Sequence, residues 1–325
     1  MKAAVIGENG VEIREIEAPK PGPEQVLVKV RAAGLNRADL IMASGRMHGP
    51  TGGAGAVLGL ELSGEVAEVG SNVTHVKRGD RVMCSAAAAY AEYAVADMGR
   101  THKIPANNMS YEQAATLPVG LQTMHNAVVT AGRLKAGEAV LIQGASSGVG
   151  LVALQIAKQK GARLVIGSST NAERRERLKE FGADMAVDSR DPAWADQVLE
   201  ATGGKGVDLI VDQISGYVAN QNLKATAILG RIVNVGRLGG FHGDFDFDLH
   251  AARRIDYIGV TFRTRSVAEV REINRLMRED LWPSVEAGKI ALPIDRTYPL
   301  EQAAAALEHM KANAHFGKIV LTMGG

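Results

Sequence analysis

A two-domain α/β protein is what this 325-residue sequence predicts, one domain β-rich and barrel-like, the other a doubly wound parallel sheet. The length is twice that of a common domain of about 150 residues. From residue 1 to about 118 the chain reads as short strands punctuated by Gly and Pro: AAVIG, VEIREI, QVLVKVRAAG, SGEVAEVG, DRVMC and AEYAVA. After Pro118 strands alternate with helix-period segments. The strands are EAVLIQG at 138, RLVIGSS at 163, MAVDS at 185, VDLIVDQ at 207, GRIVNVG at 230 and RIDYIGVTF at 254. Between them, segments such as VGLVALQIAKQKGA and NAERRERLKEFGA repeat apolar residues at three- and four-residue steps. Six strands joined by helical crossovers predict a parallel sheet wound on both faces. A charged amphipathic helix at 267–286, an Ala-rich helix after Pro299 and a closing strand, GKIVLTM, are expected to return to the first domain. The Gly-rich stretch from Gly45 to Gly59 is expected to be a loop with no element of its own.

Composition narrows the function classes. With 46% hydrophobic and 22% charged residues the chain is an ordinary globular protein. Lys plus Arg number 37 against 36 Asp plus Glu, so no global field gathers nucleic acid or anionic membrane, and neither partner is expected. A single cysteine, Cys84, builds neither an intrachain disulfide nor a cysteine-rich zinc site, which suits a reducing compartment. Glu8, Glu12, Arg14 and Glu15 break the apolar run that an export signal needs. The most apolar later stretch, 140–166, is broken by Gly, Lys and Gln short of the about 20 residues of a membrane span. A cytoplasmic location is the expectation.

The most informative stretch is Gly144-Ala145-Ser146-Ser147-Gly148-Val149-Gly150, which follows a strand and opens a helix. Free N–H groups and the positive end of a helix bind pyrophosphate there, and small residues let the backbone approach it. Ser147, Gly148 and Val149 are the expected contacts, although Ala145 and Ser147 replace the first two glycines of the full fingerprint. Where an NAD site carries an acidic residue at the end of the second strand, this chain has Ser168, Ser169, Thr170 and Asn171, followed by Arg174, Arg175 and Arg177. Hydroxyls and guanidinium groups suit a 2′-phosphate that a carboxylate would repel, so NADP(H) is the expected cofactor.

These motifs, with Asn36-Arg37-Ala38-Asp39, Gly59-Leu60-Glu61, Gly79-Asp80-Arg81-Val82, Leu117-Pro118-Val119-Gly120-Leu121 and the run from Asn313 to Leu321, resemble the medium-chain dehydrogenase/reductase superfamily in its zinc-independent quinone oxidoreductase branch. The resemblance implies a GroES-like β-barrel domain of residues 1–118 and 264–325 and a Rossmann domain of 119–263. It places Asn36 beside the nicotinamide, where its amide serves cofactor or substrate, with Asp39 behind it or capping a helix. Gln122 and Thr123 fall near the nicotinamide-side threonine of the family, Arg174 at the basic residue for the NADP phosphate, Gly236 at the turn after the fifth strand, and Asn313 at a C-terminal cofactor contact. Zinc-dependent relatives carry a His where this chain has Leu60 and a Cys where it has Asn36, so no bound zinc is expected.

The resemblance also implies NADPH-dependent reduction of a quinone or similar conjugated carbonyl. An alkenal or enone double-bond reductase is the alternative, and a non-catalytic NADPH- or RNA-binding protein is the reading from another class. Many relatives have a loop tyrosine where Met47 stands, and a thioether donates no proton. That leaves His48 as the titratable candidate in the loop. Cys84, His125 and His309 are expected to be structural. A homodimer is expected, with the sixth strand, 254–262, pairing at an open sheet edge.

Overall fold

The strand Gln25–Gly34 organises the first unit of the protein. Val26, Val28 and Val30 are buried while Leu27, Lys29 and Arg31 are only partly so, the period-two pattern of a strand with one face on a core. In the computed structural model, which describes residues 1–8 and 10–324, this strand pairs antiparallel with Glu61–Val69, Tyr93–Asp97 and Lys318–Thr322. The end of the chain is thereby stitched to its beginning, and Met1–Val119 with Phe262–Gly325 make one compact unit. Its sheet continues from Glu61–Val69 through Arg81–Ser85 to Thr101–Lys103, and from Lys318–Thr322 to Ile294–Pro299. Val26, Val28, Leu62, Val82, Cys84 and Ile319 share its core. The Cys84 thiol is wholly buried there and pushed up to about 12 by that burial, so it is packing, not a nucleophile. The helix Val267–Glu286 starts at a capping box in which Ser266 and Glu269 each accept the other's backbone N–H. Among the described residues no helix is long and apolar enough to cross a membrane.

The Gly-rich stretch differs from the expectation of a bare loop. Met47–His48 and Thr51–Gly52 form a small antiparallel hairpin, and Val57 bridges to Val5. The Thr51 hydroxyl donates to the His48 carbonyl at 2.9 Å, a local bond that a Gly count does not reveal. His309 is held structurally, 3.0 Å from the Tyr298 hydroxyl and 3.4 Å from Asp295.

The second unit, Gly120–Thr261, is built on six parallel strands: β1 (Ala139–Ile142), β2 (Leu164–Ser168), β3 (Met185–Val187), β4 (Val207–Asp212), β5 (Thr226–Asn234) and β6 (Asp256–Gly259). Their spatial order is β3-β2-β1-β4-β5-β6, the Rossmann arrangement whose ligand end lies where the order reverses beside β1. Val140, Leu141 and Ile142 are wholly buried, as strands covered on both faces must be. Two strands depart most from the sequence reading. β5 starts at Thr226, four residues early, and β6 is four residues long instead of the nine of 254–262. Arg254 takes a left-handed conformation, φ 52°, to close the helix Phe247–Arg253, so no strand can begin there.

Candidate functional site

At the reversal point β1 runs into a tight turn and then helix α1 (Gly148–Gln159). Ser147 caps this helix, its hydroxyl accepting the Gly150 N–H at 3.1 Å, and Leu151 N–H bonds to the Ser147 carbonyl. The N–H groups of Gly148 and Val149 have no acceptor in a preceding helical turn. Both residues are half-buried, so the positive end of a 12-residue helix presents two donors in a sheltered place. A Cβ on Gly150 would stand 2.7 Å from the Gly144 and Ala145 carbonyl oxygens, which is why glycine is needed for the helix to lie so close to the turn. The sheet end is prepared around it: Ser168 Oγ donates to Gln143 Oε1 at 2.5 Å and accepts the Gly144 N–H at 2.9 Å, and Ser147 Oγ meets Gln213 Oε1 at 3.0 Å. This cradle fits the pyrophosphate of a dinucleotide.

Past β2 the chain enters helix α2 (Ala172–Arg177), capped by Asn171, whose Oδ1 accepts the Arg174 N–H at 2.9 Å. Thr170 and Asn171 are exposed and Arg174 is half-buried. The neighbouring candidates hold the following partners. Ser168 is sealed in its hydrogen bonds, Ser169 Oγ donates to Ser146 Oγ at 3.0 Å, and Arg175 is tied to the Ser169 carbonyl and to Asp188 at 2.8 and 3.0 Å. Arg177 pairs with Glu180 at 3.4 Å. Gly236 follows β5, where a Cβ would stand 2.6 Å from the Gln213 carbonyl oxygen. On the helix Pro118–His125, Gln122 is buried and Thr123 half-buried.

The first unit holds a separate polar cluster around Asn36. Lys318, 7% exposed, forms an ion pair with Glu61, 0% exposed. The ammonium also donates to the Leu35 carbonyl at 2.6 Å and to Asn36 Oδ1 at 3.1 Å, so its three N–H bonds meet three acceptors. Glu61 in turn accepts Asn36 Nδ2 at 2.9 Å and the Val119 N–H at 2.8 Å. An ammonium only donates and a carboxylate only accepts, so the Asn36 amide is held in one orientation, oxygen to Lys318 and nitrogen to Glu61. Gly34 makes room for this: a Cβ there would lie 2.7 Å from Glu61 Oε1 and 2.4 Å from the Ala115 carbonyl oxygen.

Behind Asn36 sits Asp39. Its Oδ2 accepts the Asn36 N–H at 2.7 Å and the Tyr90 hydroxyl at 2.6 Å, while Oδ1 is buried with no partner among the described residues. Burial raises the Asp39 carboxyl to about 7 against the lowering pull of those bonds. Between the unfolded value of 3.8 and about 7 the folded protein therefore holds a proton that the unfolded chain releases. Stability is fully present below 3.8 and lost as pH rises through about 7, by at most about 4 kcal/mol. Asp39→Asn should flatten that fall in chemical denaturation between pH 5 and pH 8, and an unchanged slope would assign it to another group. His102, lowered to about 4 by burial, works in the opposite sense and only on the acid side of 6.5.

The other candidates of the first unit lie nearer the surface. Asn313 is exposed, at φ 54°, and its Oδ1 accepts from Arg37 at 2.5 Å. His48 is half-buried, and burial together with the Arg263 charge holds it below its usual value, so it is largely neutral at pH 7 and a weak candidate for a proton donor. Met47 beside it is 58% exposed. Sequence reasoning does not single out Lys318 or Tyr90. The signal for Lys318 is a lysine opening the apolar run Ile319-Val320-Leu321; for Tyr90 no local signal exists, since its partner lies 51 residues away. Among the described residues no group of three or more His, Cys, Asp or Glu is placed to hold a metal ion. Leu60, next to Glu61, has no donor atom to offer one.

A family model described as the alcohol dehydrogenase GroES-like domain matches residues 22–106, and one described as zinc-binding dehydrogenase matches residues 148–279. A mycocerosic acid synthase-like polyketide synthase of Mycolicibacterium smegmatis is 31% identical over 313 residues, 96% of this chain. This chain spans only 15% of the length of that relative. Among solved structures, an NAD-dependent alcohol dehydrogenase is 30% identical, with all of both chains covered and a TM-score of 0.86. A quinone oxidoreductase of Pseudomonas syringae pv. Tomato DC3000 is 29% identical, covers 99% of this chain and 100% of its own, and has a TM-score of 0.87. A mycobacterial protein complexed with NADPH is 28% identical over 99% of each chain, also at a TM-score of 0.87. With the GroES-like sheet, the 3-2-1-4-5-6 strand order and the dinucleotide cradle, these likenesses place the chain in the medium-chain dehydrogenase/reductase superfamily, in its zinc-independent branch, as an oxidoreductase that uses a nicotinamide cofactor.

Proposed function

We propose that the protein is an NADPH-dependent reductase of quinones and similar conjugated carbonyls that works without zinc. The observation that carries this reading is the state of the proton donors around Asn36. Lys318 has spent its three N–H bonds, Tyr90 donates to Asp39, and the loop position of the family tyrosine holds Met47. Such a site suits an acceptor whose developing oxyanion is stabilised by its own conjugation and needs little acid help.

NADPH, when bound, supplies the hydride. The chain's part is to bind, orient and exclude water. Gly148 and Val149 N–H groups and the Ser147 cap hold the pyrophosphate, and Thr170, Asn171 and Arg174 the phosphorylated ribose. Gln122, Thr123, Gly236 and Asn313 are assigned to the cofactor from the family resemblance alone. Asn36, clamped between Lys318 and Glu61, sets the nicotinamide or the substrate carbonyl with one orientation of its amide. Similarity to polyketide synthases favours a second reading, reduction of an enoyl thioester, and the absence of a donor at Met47 weighs against it. NADPH oxidation followed optically with a para-quinone, an α,β-unsaturated aldehyde and an enoyl thioester decides. The quinone should give the highest kcat/KM, and a preference for the thioester overturns the proposal.

The chain is also proposed to form a two-fold dimer through β6, an edge strand with Asp256, Tyr257 and Gly259 exposed. Light scattering at micromolar concentration should return twice the chain mass, and a monomer mass removes this pairing.

A further inference from the structure

We infer that the second unit carries a pocket for a small aromatic monocarboxylate, with Arg237 as the residue that reads the charge. A cavity of about 230 Å³ opens at the carboxyl ends of β4 and β5, lined by Ser215, Asn234, Arg237, Phe241, Phe245 and Tyr257. That volume is below the roughly 300–1,000 Å³ of sites for drug-sized ligands, so it admits one substituted ring.

Three features of the wall point to an anion. Arg237 is half-buried, and the carboxylate whose charge acts on it, buried Asp212, does so through space and not as an ion pair among the described residues. Its Nη2 donates to Asn234 Oδ1 at 3.0 Å and its Nη1 to the Val235 carbonyl at 3.3 Å, which aims the guanidinium and leaves further N–H bonds for a ligand. Asn234 is itself held, Nδ2 donating to Ser215 Oγ at 2.5 Å, and Ser215 Oγ donates to the Gly236 carbonyl at 2.7 Å. Ser215 has φ 57° and ψ −153°, a region that belongs almost entirely to glycine. Buried Asp212 enforces that conformation by accepting the Ile214 and Ser215 N–H groups at 2.8 and 2.9 Å. A strained residue held on a cavity wall, beside a half-buried cation that no carboxylate pairs with directly, is the pattern of a ligand clamp.

The remaining wall selects the body of the ligand. Phe245 and Tyr257 meet edge to face at 5.6 Å and 80°, offering ring surface beside the charge. Asp244 also lines the cavity, so a doubly charged phosphate is disfavoured relative to a single carboxylate, whose two oxygens match the guanidinium fork. The pocket adjoins Gly236, which the family resemblance gives to the cofactor, so the test must separate the two.

Calorimetric titration of the whole chain with benzoate, against neutral benzamide of the same shape, provides it. Benzoate should bind at least about tenfold more tightly than benzamide, lose about tenfold in Arg237→Gln, and still bind with NADP⁺ at saturation. Equal binding of the two probes, no benzoate binding at millimolar concentration, or displacement of benzoate by NADP⁺ overturns the inference. Should Arg237→Gln fail to fold, the benzoate–benzamide comparison on the unaltered protein decides alone.

Discussion

Lys318→Met should destabilise the protein by about 3–5 kcal/mol, because it leaves the Glu61 carboxylate buried without its counter-charge. Glu61 is 0% exposed and would keep only the Asn36 amide and the Val119 N–H as partners. The same substitution loosens the Asn36 amide, whose oxygen loses the ammonium while only its nitrogen stays held by Glu61. A misplaced positioning group costs on the order of 100-fold in turnover, so kcat should fall while KM changes less. The two effects separate in the double variant Lys318→Met with Glu61→Gln. Its neutral pair removes the stranded charge and should recover most of the denaturation midpoint, whereas turnover should stay low because the amide is still not clamped. Recovery of both together would reduce the cluster to a structural role.

Arg174→Ala should weaken NADPH binding about ten- to a hundredfold and leave NADH almost unchanged, the loss of one charge-assisted contact worth roughly 1.5–3 kcal/mol. The Asn171 cap sets Arg174 in the first turn of α2, directly after the exposed Thr170 and Asn171. Arg175 is the control. Its guanidinium is tied to Asp188 and the Ser169 carbonyl, so Arg175→Ala should affect both cofactors alike if it affects either. Titration of each variant with both cofactors gives the answer, and equal losses for Arg174→Ala, or none, would remove Arg174 from the phosphate site.

Much of the fold is legible in one dimension because its signals are local. The alternation in Gln25–Gly34, the apolar runs of β1 and β4, the capping box at Ser266 and the small residues from Gly144 to Gly150 each state a conformation within about ten residues. The hairpin at Met47–Gly52 is not legible, since its strands are two residues long and carry no period. The length of β6 is misread because IDYIGVTF is uniformly strand-like, while its start is set by how the preceding helix ends at Arg254.

The site divides along the same line. By itself the sequence determined the two-domain α/β class, the strand–turn–helix cradle with Ser147, Gly148 and Val149, the lack of a carboxylate from Ser168 to Asn171, and the replacement of a metal ligand by Leu60. Each of these is a property of neighbouring residues. Only the tertiary structure decided that Lys318 closes on Asn36 and Glu61, that Tyr90 reaches Asp39, and that Arg175 is bound to Asp188. The physical reason is burial of charge. A lysine, a glutamate and an aspartate far apart in the chain read as surface residues until the sheet brings Lys318–Thr322 beside Gln25–Gly34, and in that low dielectric each must find a partner or give up its charge.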